Sequence, residues 1–161
     1  MEVIIINKAE DKWIAKDYQS KIEEVINLVV DYLSYQQKFS NAVLSIVLAN
    51  DEFICELNKD YRGKNKPTNI LSFAEVIDIN YWDELTESNG LGDLVLSFDT
   101  INNESRDQGK SFSDHFCHLI IHGFLHLLGY NHIGESEASI MEGIEIKILN
   151  KLDINNPYED I

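Results

Sequence analysis

The feature that most constrains this chain is a histidine-rich stretch that runs from Cys117 to His132. All five histidines of the 161 residues lie between positions 115 and 132. His122 and His126 are four residues apart, so on a helix they lie one above the other. Apolar residues surround them and Gly129 follows the last of these. The pattern therefore predicts a helix over residues 111–128 that ends near Gly129.

A third histidine, His132, follows shortly after that glycine, where the chain can turn back towards the helix. The stretch thus predicts three imidazoles, those of His122, His126 and His132, directed at one point. Three neutral imidazoles suit a divalent transition metal, zinc first, with a fourth position open to water. A lone histidine is more often a structural residue at the edge of a core, but three at this spacing favour one bound Zn²⁺.

The other residues of this helix have weaker interpretations. His115 and His118 share an arc of about 80° with His122 and His126 on a helical wheel. His118 lies one turn before His122, so we interpret it as an outer partner of the metal site or as a lid over it. We assign no role to His115. Cys117 lies on a different helical face from His122 and is a poor candidate for a ligand.

Gly123 departs from a well-known zinc-protease pattern. In the string His-Glu-x-x-His, the glutamate that follows the first histidine is the general base, and here glycine takes that place. A glycine inside a helix costs about 1 kcal/mol relative to alanine. Something is therefore expected to approach the helix closely at this position. Two explanations stay open: a packing contact in the core, or room for a ligand beside the metal.

The remaining apolar patterns predict an α+β fold. β-branched or alternating runs predict four strands, at residues 3–6, 43–48, 70–76 and 92–98, the first of them buried. Helical spacing predicts further helices at residues 17–33, from a cap at Asn50 or Asp51, from a cap at Asp99 to Gly109, and at residues 135–149. We expect a single domain over residues 1–161 with a roughly four-stranded mixed sheet, helices packed around it, and the metal site on a core helix and the following loop. The order of the strands does not follow from the pattern.

The charges separate one basic loop from an acidic chain. The net charge is −15, from 13 basic and 28 acidic residues, which by itself argues against a nucleic-acid partner. Residues 77–91 hold acidic residues and no basic one, and predict an exposed acidic loop. In contrast, Lys59, Arg62, Lys64 and Lys66 fall together in one loop. The guanidinium of an arginine can hold a phosphate at two points, so this loop is the obvious landing place for a polyanion.

The cellular setting is predicted by what the chain lacks. Two cysteines are too few for a disulfide framework and fit a reducing compartment. No apolar run is long enough to cross a bilayer, and the first residues have no basic segment of the signal-peptide kind. The expectation is a cytoplasmic protein with no membrane partner.

Several strings in the chain resemble those of one known family. The string HGFLHLLGYNH, from His122 to His132, closely resembles the HGxLHLxGYDH signature of the YbeY family of bacterial metal-dependent endoribonucleases. Residues 57–73 are similar to the family's Tyr-Arg and Lys-x-Thr-Asp-Val-Leu-Ser-Phe segment, and residues 91–97 to its Leu-Gly-Asp-Ile strand. Met141, Glu142 and Glu145 resemble its closing helix. The resemblance covers most of the chain from about residue 45 onward.

This resemblance implies a function and a set of site residues. It implies a single-strand-specific, zinc-dependent endoribonuclease that matures ribosomal RNA, at the 3′ end of the small-subunit RNA, and acts in ribosome quality control. It implies Zn²⁺ held by His122, His126 and His132, with Arg62 and His122 catalytic. Lys59, Lys64 and Lys66 would bind the substrate together with Arg62. The implied partners are RNA, chiefly ribosomal RNA, and proteins of the small ribosomal subunit.

Two departures and two alternatives accompany this interpretation. Asn131 and Asn69 stand where the family usually has aspartate, so any role of those carboxylates is reduced here to a hydrogen bond. The first alternative function is a zinc-dependent peptidase or other small hydrolase, against which Gly123 counts. The second is a non-catalytic, zinc-containing ribosome-associated factor, which would need a closed fourth ligand such as His118 or a cysteine.

Overall fold

The sheet follows from four apolar strands of which three run in the same direction. The computed structural model describes residues 1–14, 18–75, 78–82 and 89–159. Its strands are β1 (Glu2–Asn7), β2 (Val43–Ala49), β3 (Ile70–Ala74) and β4 (Gly90–Ser97). Their order in the sheet is β1-β2-β4-β3. β1 pairs with β2 and β2 with β4 in parallel, whereas β3 pairs with β4 antiparallel. The mixed four-stranded sheet confirms the predicted fold class.

In the part of the chain that the structure describes, five α-helices and one short 3₁₀-helix accompany the sheet. The α-helices are α1 (Tyr18–Tyr32), α2 (Asp51–Arg62), α3 (Phe98–Asp107), α4 (Phe112–Leu127) and α5 (Glu135–Lys151), and the 3₁₀-helix is Ile79–Tyr81. The caps of α2 and α4 are local side chains, because Asn50 accepts a hydrogen bond from the Phe53 N–H and Ser111 accepts one from the Asp114 N–H. No helix in the described part of the chain is long and apolar enough to cross a membrane.

The two faces of the sheet are covered by different helices, as the alternation of side chains along a strand requires. Leu44, Ile46 and Leu94 face the main core, which the buried residues of α1, α4 and α5 complete. Val95 faces the other side, in a smaller cluster with Ile54 of α2. Helix α4 lies at the centre, because it contacts β3, β4 and the helices α1, α3 and α5. The histidine-bearing helix is therefore the core helix of the fold, as predicted.

Four expectations from the sequence are corrected. β1 is an edge strand rather than a buried one, since Ile4 and Ile6 are each 40% exposed. β4 begins at Gly90, within the stretch predicted as an acidic loop. Asp99 does not cap α3, whose N-cap position is Ser97. The Asp99 carboxylate instead accepts the Asp51 N–H at 3.0 Å and pairs with Lys12 at 3.4 Å.

The fourth correction concerns α5, where Ile140 was expected to face inward with Met141, Ile144 and Ile148; it is 56% exposed. Parts of three other expectations lie outside the described residues. These are the start of the first helix at residue 17, the end of the third strand at residue 76, and residues 77 and 83–88 of the acidic stretch.

Candidate metal centre

Three histidines come together where α4 ends. His122 and His126 lie one turn apart, and their Nε2 atoms are 3.0 Å from each other. Gly129 adopts a φ of +100°, a left-handed conformation that suits glycine. The helix ends there with a hydrogen bond from the Tyr130 N–H to the Leu125 carbonyl. The following loop returns His132 to the helix, and one nitrogen of each of the three rings lies within 4.8 Å of the others.

The partners of the two helical histidines determine which ring nitrogens are free. Nδ1 of His126 donates to the Tyr130 carbonyl oxygen at 3.0 Å, and Nδ1 of His122 donates to Glu145 Oε1 at 2.6 Å. Since both Nδ1 atoms carry the ring hydrogen, the two Nε2 lone pairs face each other. Burial is the main cause that lowers the pKa of His126, and the nearby His122 lowers it further. A proton between the two rings is therefore disfavoured. Converging lone pairs of neutral imidazoles fit a divalent transition metal.

Glu145 is the residue that sequence reasoning missed. It lies on α5 among apolar residues and is completely buried. Burial alone would raise the pKa of its carboxyl, but hydrogen bonds from His118, His122 and Tyr158 outweigh burial and lower the pKa to about 2. The carboxylate is therefore ionised and orients His122, as outer partners of metal-binding histidines commonly do. The resemblance covered this helix without a role for Glu145, and the one available signal was an acidic residue on the apolar face of a helix.

His118 and His115 occupy different surroundings on α4. His118 Nε2 lies 3.2 Å from the Tyr158 hydroxyl oxygen and 3.5 Å from Glu145 Oε1, so it belongs to the group of side chains around that carboxylate. His115 is buried, and its Nε2 donates to Glu104 Oε1 at 2.9 Å. Burial lowers the pKa of His115, although its bond to Glu104 opposes that shift.

A cleft of about 1280 Å³ connects the histidines to Arg62. Its lining includes His122, His126, His132 and Arg62. Arg62 is the last residue of α2, which ends at Gly63 in a left-handed conformation with a φ of 68°. The fold therefore brings the arginine predicted to bind phosphate to the same cleft as the predicted ligands, which the sequence pattern alone left open.

The predicted lysines are placed differently from Arg62. Lys59, Lys64 and Lys66 are exposed, and none of them is among the described residues that line the cleft. The Lys66 carbonyl oxygen accepts a hydrogen bond from the Asn58 amide, which shapes the loop. A lysine that sequence reasoning did not consider, Lys110, does line the cleft, from the turn between α3 and α4. Its signal was its position just before the cap of the histidine helix.

The two asparagines that replace aspartates have structural partners. The Asn69 amide donates to Glu104 Oε1 at 3.0 Å, and its oxygen accepts the Ile70 N–H. Asn131 accepts the Ile133 N–H at 3.3 Å, which is a local turn contact in the loop that carries His132. The described orienting contacts of the metal-site histidines come instead from Glu145 and the Tyr130 carbonyl.

The position of Gly123 is explained by packing. A Cβ atom built there would lie 2.5 Å from Ile70 Cδ1 and 3.3 Å from Leu94 Cδ2, both in the sheet. The Ser72 hydroxyl also donates to the Gly123 carbonyl at 3.0 Å. The glycine therefore allows α4 to approach β3 and β4 closely, and its missing side chain faces the sheet. A side chain at this position would not face the metal centre, so the protease-type base has no counterpart here.

Cys117 is not placed to bind the metal. The residue is 1% exposed, and burial raises the pKa of its thiol to about 11. A buried neutral thiol is a poor ligand, because metals bind the thiolate. This agrees with the prediction that Cys117 lies on the wrong face of the helix.

Comparison with known proteins gives the same family as the histidine string. A family model described as endoribonuclease YbeY matches residues 4–153. Endoribonuclease YbeY of Ehrlichia chaffeensis is 42% identical over 159 residues, with 97% of each chain covered. The protein of the same name from Paramagnetospirillum magneticum is 49% identical over 115 residues, which cover 71% of this chain and 70% of the relative.

A solved structure supports the fold independently. The solution structure of TM1509 from Thermotoga maritima aligns with a TM-score of 0.58 and 17% identity, and the alignment covers 99% of this chain and 96% of that one. At this identity the likeness is one of fold. The family model spans residues 4–153, which include the three histidines, and the chain therefore belongs to the endoribonuclease YbeY family.

Proposed function

We propose that this chain is a zinc-dependent endoribonuclease that cuts single-stranded RNA during maturation of the 3′ end of small-subunit ribosomal RNA and in ribosome quality control. The whole chain, residues 1–161, would act as one cytoplasmic domain, with RNA and proteins of the small ribosomal subunit as partners. The observation that carries the proposal is that three histidine nitrogens converge in the cleft that also holds Arg62.

The proposed roles of the site residues follow from their chemistry. His122, His126 and His132 would hold one Zn²⁺, and His122 is kept in its binding tautomer by Glu145. When bound, the ion supplies a Lewis acid for a phosphoryl oxygen and lowers the pKa of a coordinated water. Arg62 would stabilise the negative charge that develops on the phosphate oxygens during cleavage. Lys59, Lys64 and Lys66 would attract the RNA backbone beyond the cleft.

The acidic balance of the chain is compatible with an RNA substrate at this cleft. The net charge of −15 belongs to the whole chain, whereas the cleft lining holds two basic residues, Arg62 and Lys110, beside three acidic ones, Glu104, Asp114 and Glu159. Glu145, the carboxylate next to His122, is buried with its oxygens engaged by His122 and Tyr158. Both of its oxygens are therefore occupied by hydrogen bonds, and Glu145 is not among the described residues that line the cleft.

The two alternative functions are less well supported by the geometry. A peptidase of the His-Glu-x-x-His type needs a base after the first histidine, and position 123 faces the sheet. A closed structural zinc site needs a fourth protein ligand. His118 Nε2 is directed at Tyr158 and Glu145, and Cys117 is a buried neutral thiol.

The test is cleavage of a single-stranded RNA that carries a small-subunit 3′-end sequence, after metal analysis of each protein. We expect His126→Ala to lose both zinc and activity. Arg62→Ala should keep its zinc and lose about 10²–10³-fold in rate, the usual effect of removing one charge-stabilising donor. Arg106→Ala is the matched control, since Arg106 is exposed on α3. If the purified wild type holds no metal and His126→Ala and Arg62→Ala cut as fast as wild type, the proposal is wrong.

A second substrate separates the two possible reactions. An RNA with a single 2′-deoxy sugar at the cleavage position cannot react through its own 2′-hydroxyl. Continued cleavage of that RNA would indicate attack by water, whereas loss of cleavage would indicate transfer to the 2′-oxygen.

A further inference from the structure

The C-terminal segment, residues 154–159, lines the cleft, and its Tyr158 contacts the carboxylate of Glu145 that holds His122. We propose that Tyr158 is a positioning residue for His122, acting through Glu145, and that the segment which carries Tyr158 forms one wall of the substrate cleft. The inference rests on the proposed function, because it concerns the same metal and the same substrate. Tyr158 would hold Glu145, which in turn holds His122, and the segment would limit the space that RNA can occupy.

The hydrogen bonds of Glu145 define the role of Tyr158. The Tyr158 hydroxyl donates to Oε2 of Glu145 at 2.5 Å, while His122 Nδ1 donates to Oε1 at 2.6 Å. The terminal torsion of a glutamate side chain is broad, so a carboxylate held by one oxygen can still rotate. With both oxygens engaged, the plane of the carboxylate is fixed, and with it the direction in which the His122 ring is held.

Two further contacts keep the Tyr158 hydroxyl in this role. His118 Nε2 lies 3.2 Å from the hydroxyl oxygen, and the two rings meet edge to face with centroids 5.6 Å apart. Burial, together with the Glu145 carboxylate, raises the pKa of the Tyr158 hydroxyl. The hydroxyl therefore remains a hydrogen-bond donor to Glu145 at physiological pH.

The path of the chain after α5 explains how Tyr158 reaches Glu145. Asp153 adopts a φ of 59° and the Ile154 N–H bonds the Leu149 carbonyl at 2.9 Å, so the chain reverses at the end of the helix. Asn156 then accepts the Tyr158 N–H at 2.8 Å in a local turn. Ile154 packs against the main core, and these local bonds then place the tyrosine beside its partner.

The exposure of Tyr158 separates a positioning role from a packing role. The residue is 41% exposed, although its hydroxyl meets a carboxylate that is completely buried. A side chain that mainly filled the core would be buried as a whole. Removal of the Tyr158 hydroxyl is therefore expected to affect the metal centre more than the stability of the fold.

The experiment compares Zn²⁺ affinity, measured by competition with a chromophoric chelator, in wild type and four variants. Tyr158→Phe removes the hydroxyl and keeps the ring, and we expect about 3- to 10-fold weaker binding. Glu145→Gln is the reference for direct loss of an outer partner, for which about 10- to 100-fold is typical. Tyr32→Phe is the matched control, since Tyr32 lies on α1 outside the described lining of the cleft. A chain that ends at Asp153 removes the wall and should also raise the KM for RNA.

Two measurements distinguish a positioning role of Tyr158 from an effect on the stability of the fold alone. The thermal midpoint of Tyr158→Phe should stay close to that of wild type, and the visible spectrum of its Co²⁺ form should change, because that spectrum reports ligand geometry. Unchanged Zn²⁺ affinity in Tyr158→Phe, with or without a lower midpoint, overturns the positioning role. An unchanged KM in the shortened chain overturns the wall. If wild type itself binds no Zn²⁺, the proposed function is wrong. If wild type binds Zn²⁺ and Tyr158→Phe binds it equally well, only the positioning role is wrong.

Discussion

Replacement of Gly123 by alanine gives a quantitative test of how α4 is placed against the sheet. The added methyl group would lie 2.5 Å from Ile70 Cδ1 and 3.3 Å from both Leu94 Cδ2 and Ser72 Oγ. Overpacking of an interior costs about 1–3 kcal/mol. The shortest contact is with the mobile end of Ile70, so we expect about 1–2 kcal/mol. Alanine gains about 1 kcal/mol over glycine inside a helix. The net effect of Gly123→Ala should thus be between zero and about 1 kcal/mol of destabilisation.

Gly143→Ala provides the matched control. Gly143 lies inside α5, and a Cβ atom there would meet nothing within 4 Å. This variant should gain the full helix preference of alanine and be about 1 kcal/mol more stable than wild type. The difference in free energy of unfolding between the two variants is the cost of overpacking, which should be about 1–2 kcal/mol. The free energy of unfolding is measured by urea denaturation with a chelator present, so that bound metal does not contribute.

The outcome also decides between packing and ligand space at this glycine. If Gly123→Ala stabilises the protein as much as Gly143→Ala does, the close approach of α4 to β3 is not a constraint and the reasoning is refuted. If stability changes as expected while Zn²⁺ affinity stays within about threefold of wild type, roughly 0.6 kcal/mol, the missing side chain serves packing. A large loss of affinity together with the gain in stability seen in Gly143→Ala would favour the ligand-space explanation instead.

Three further predictions test other parts of the structure. Gly92→Ala should be more destabilising than Gly123→Ala, because the new Cβ would lie 2.1 Å from the Phe73 carbonyl oxygen at a φ of +138°. Urea denaturation would measure both free energies of unfolding, and a smaller loss of stability in Gly92→Ala than in Gly123→Ala would contradict the geometry. In native protein at pH 8.5, iodoacetamide should label Cys55 before Cys117, since burial raises the pKa of the Cys117 thiol to about 11; mass spectrometry of timed samples would show the order, and equal rates would argue against burial. Zn²⁺ at 100 times its dissociation constant should raise the free energy of unfolding of wild type by about 2.7 kcal/mol, whereas His126→Ala should show little of this gain; an equal gain in both would place the ion elsewhere.

The parts of the site that could be predicted from the sequence are those set by local spacing. The i, i+4 separation of His122 and His126 follows from helix geometry, and Gly129 marks where the chain must turn to return His132. The positions of the strands could also be predicted, because their apolar residues form short β-branched or alternating runs. Strand order was not visible, since the pairing of β2 with β4 and the antiparallel placement of β3 depend on contacts between distant segments.

The parts that escaped prediction depend on direction and on distant partners. The sequence predicted four basic residues in one loop, but Lys59 and Arg62 lie in the last turn of α2. Of the four, Arg62 alone is among the described residues that line the cleft, and Lys110 lines it from the turn between α3 and α4. Sequence shows that charges are neighbours and does not show which way each one points. Asp99 could equally have capped its own helix, yet its carboxylate serves the Asp51 N–H of a different helix.

The position of Glu145 indicates why this centre suits a phosphate rather than a peptide. In the His-Glu-x-x-His site the glutamate faces the reaction and must take a proton there. Here the Glu145 carboxylate lies behind His122 and is completely buried. His122 donates a hydrogen bond to one of its oxygens and Tyr158 donates one to the other. It can orient a histidine but cannot serve as a base towards the cleft. The three predicted ligands are imidazoles, which bind metals as neutral groups, so the charge of a divalent cation held by them would be offset only in part, by the Glu145 carboxylate behind His122. An anionic phosphate would gain from the remaining positive charge and from Arg62, whereas a neutral peptide bond would gain less and would lack its base.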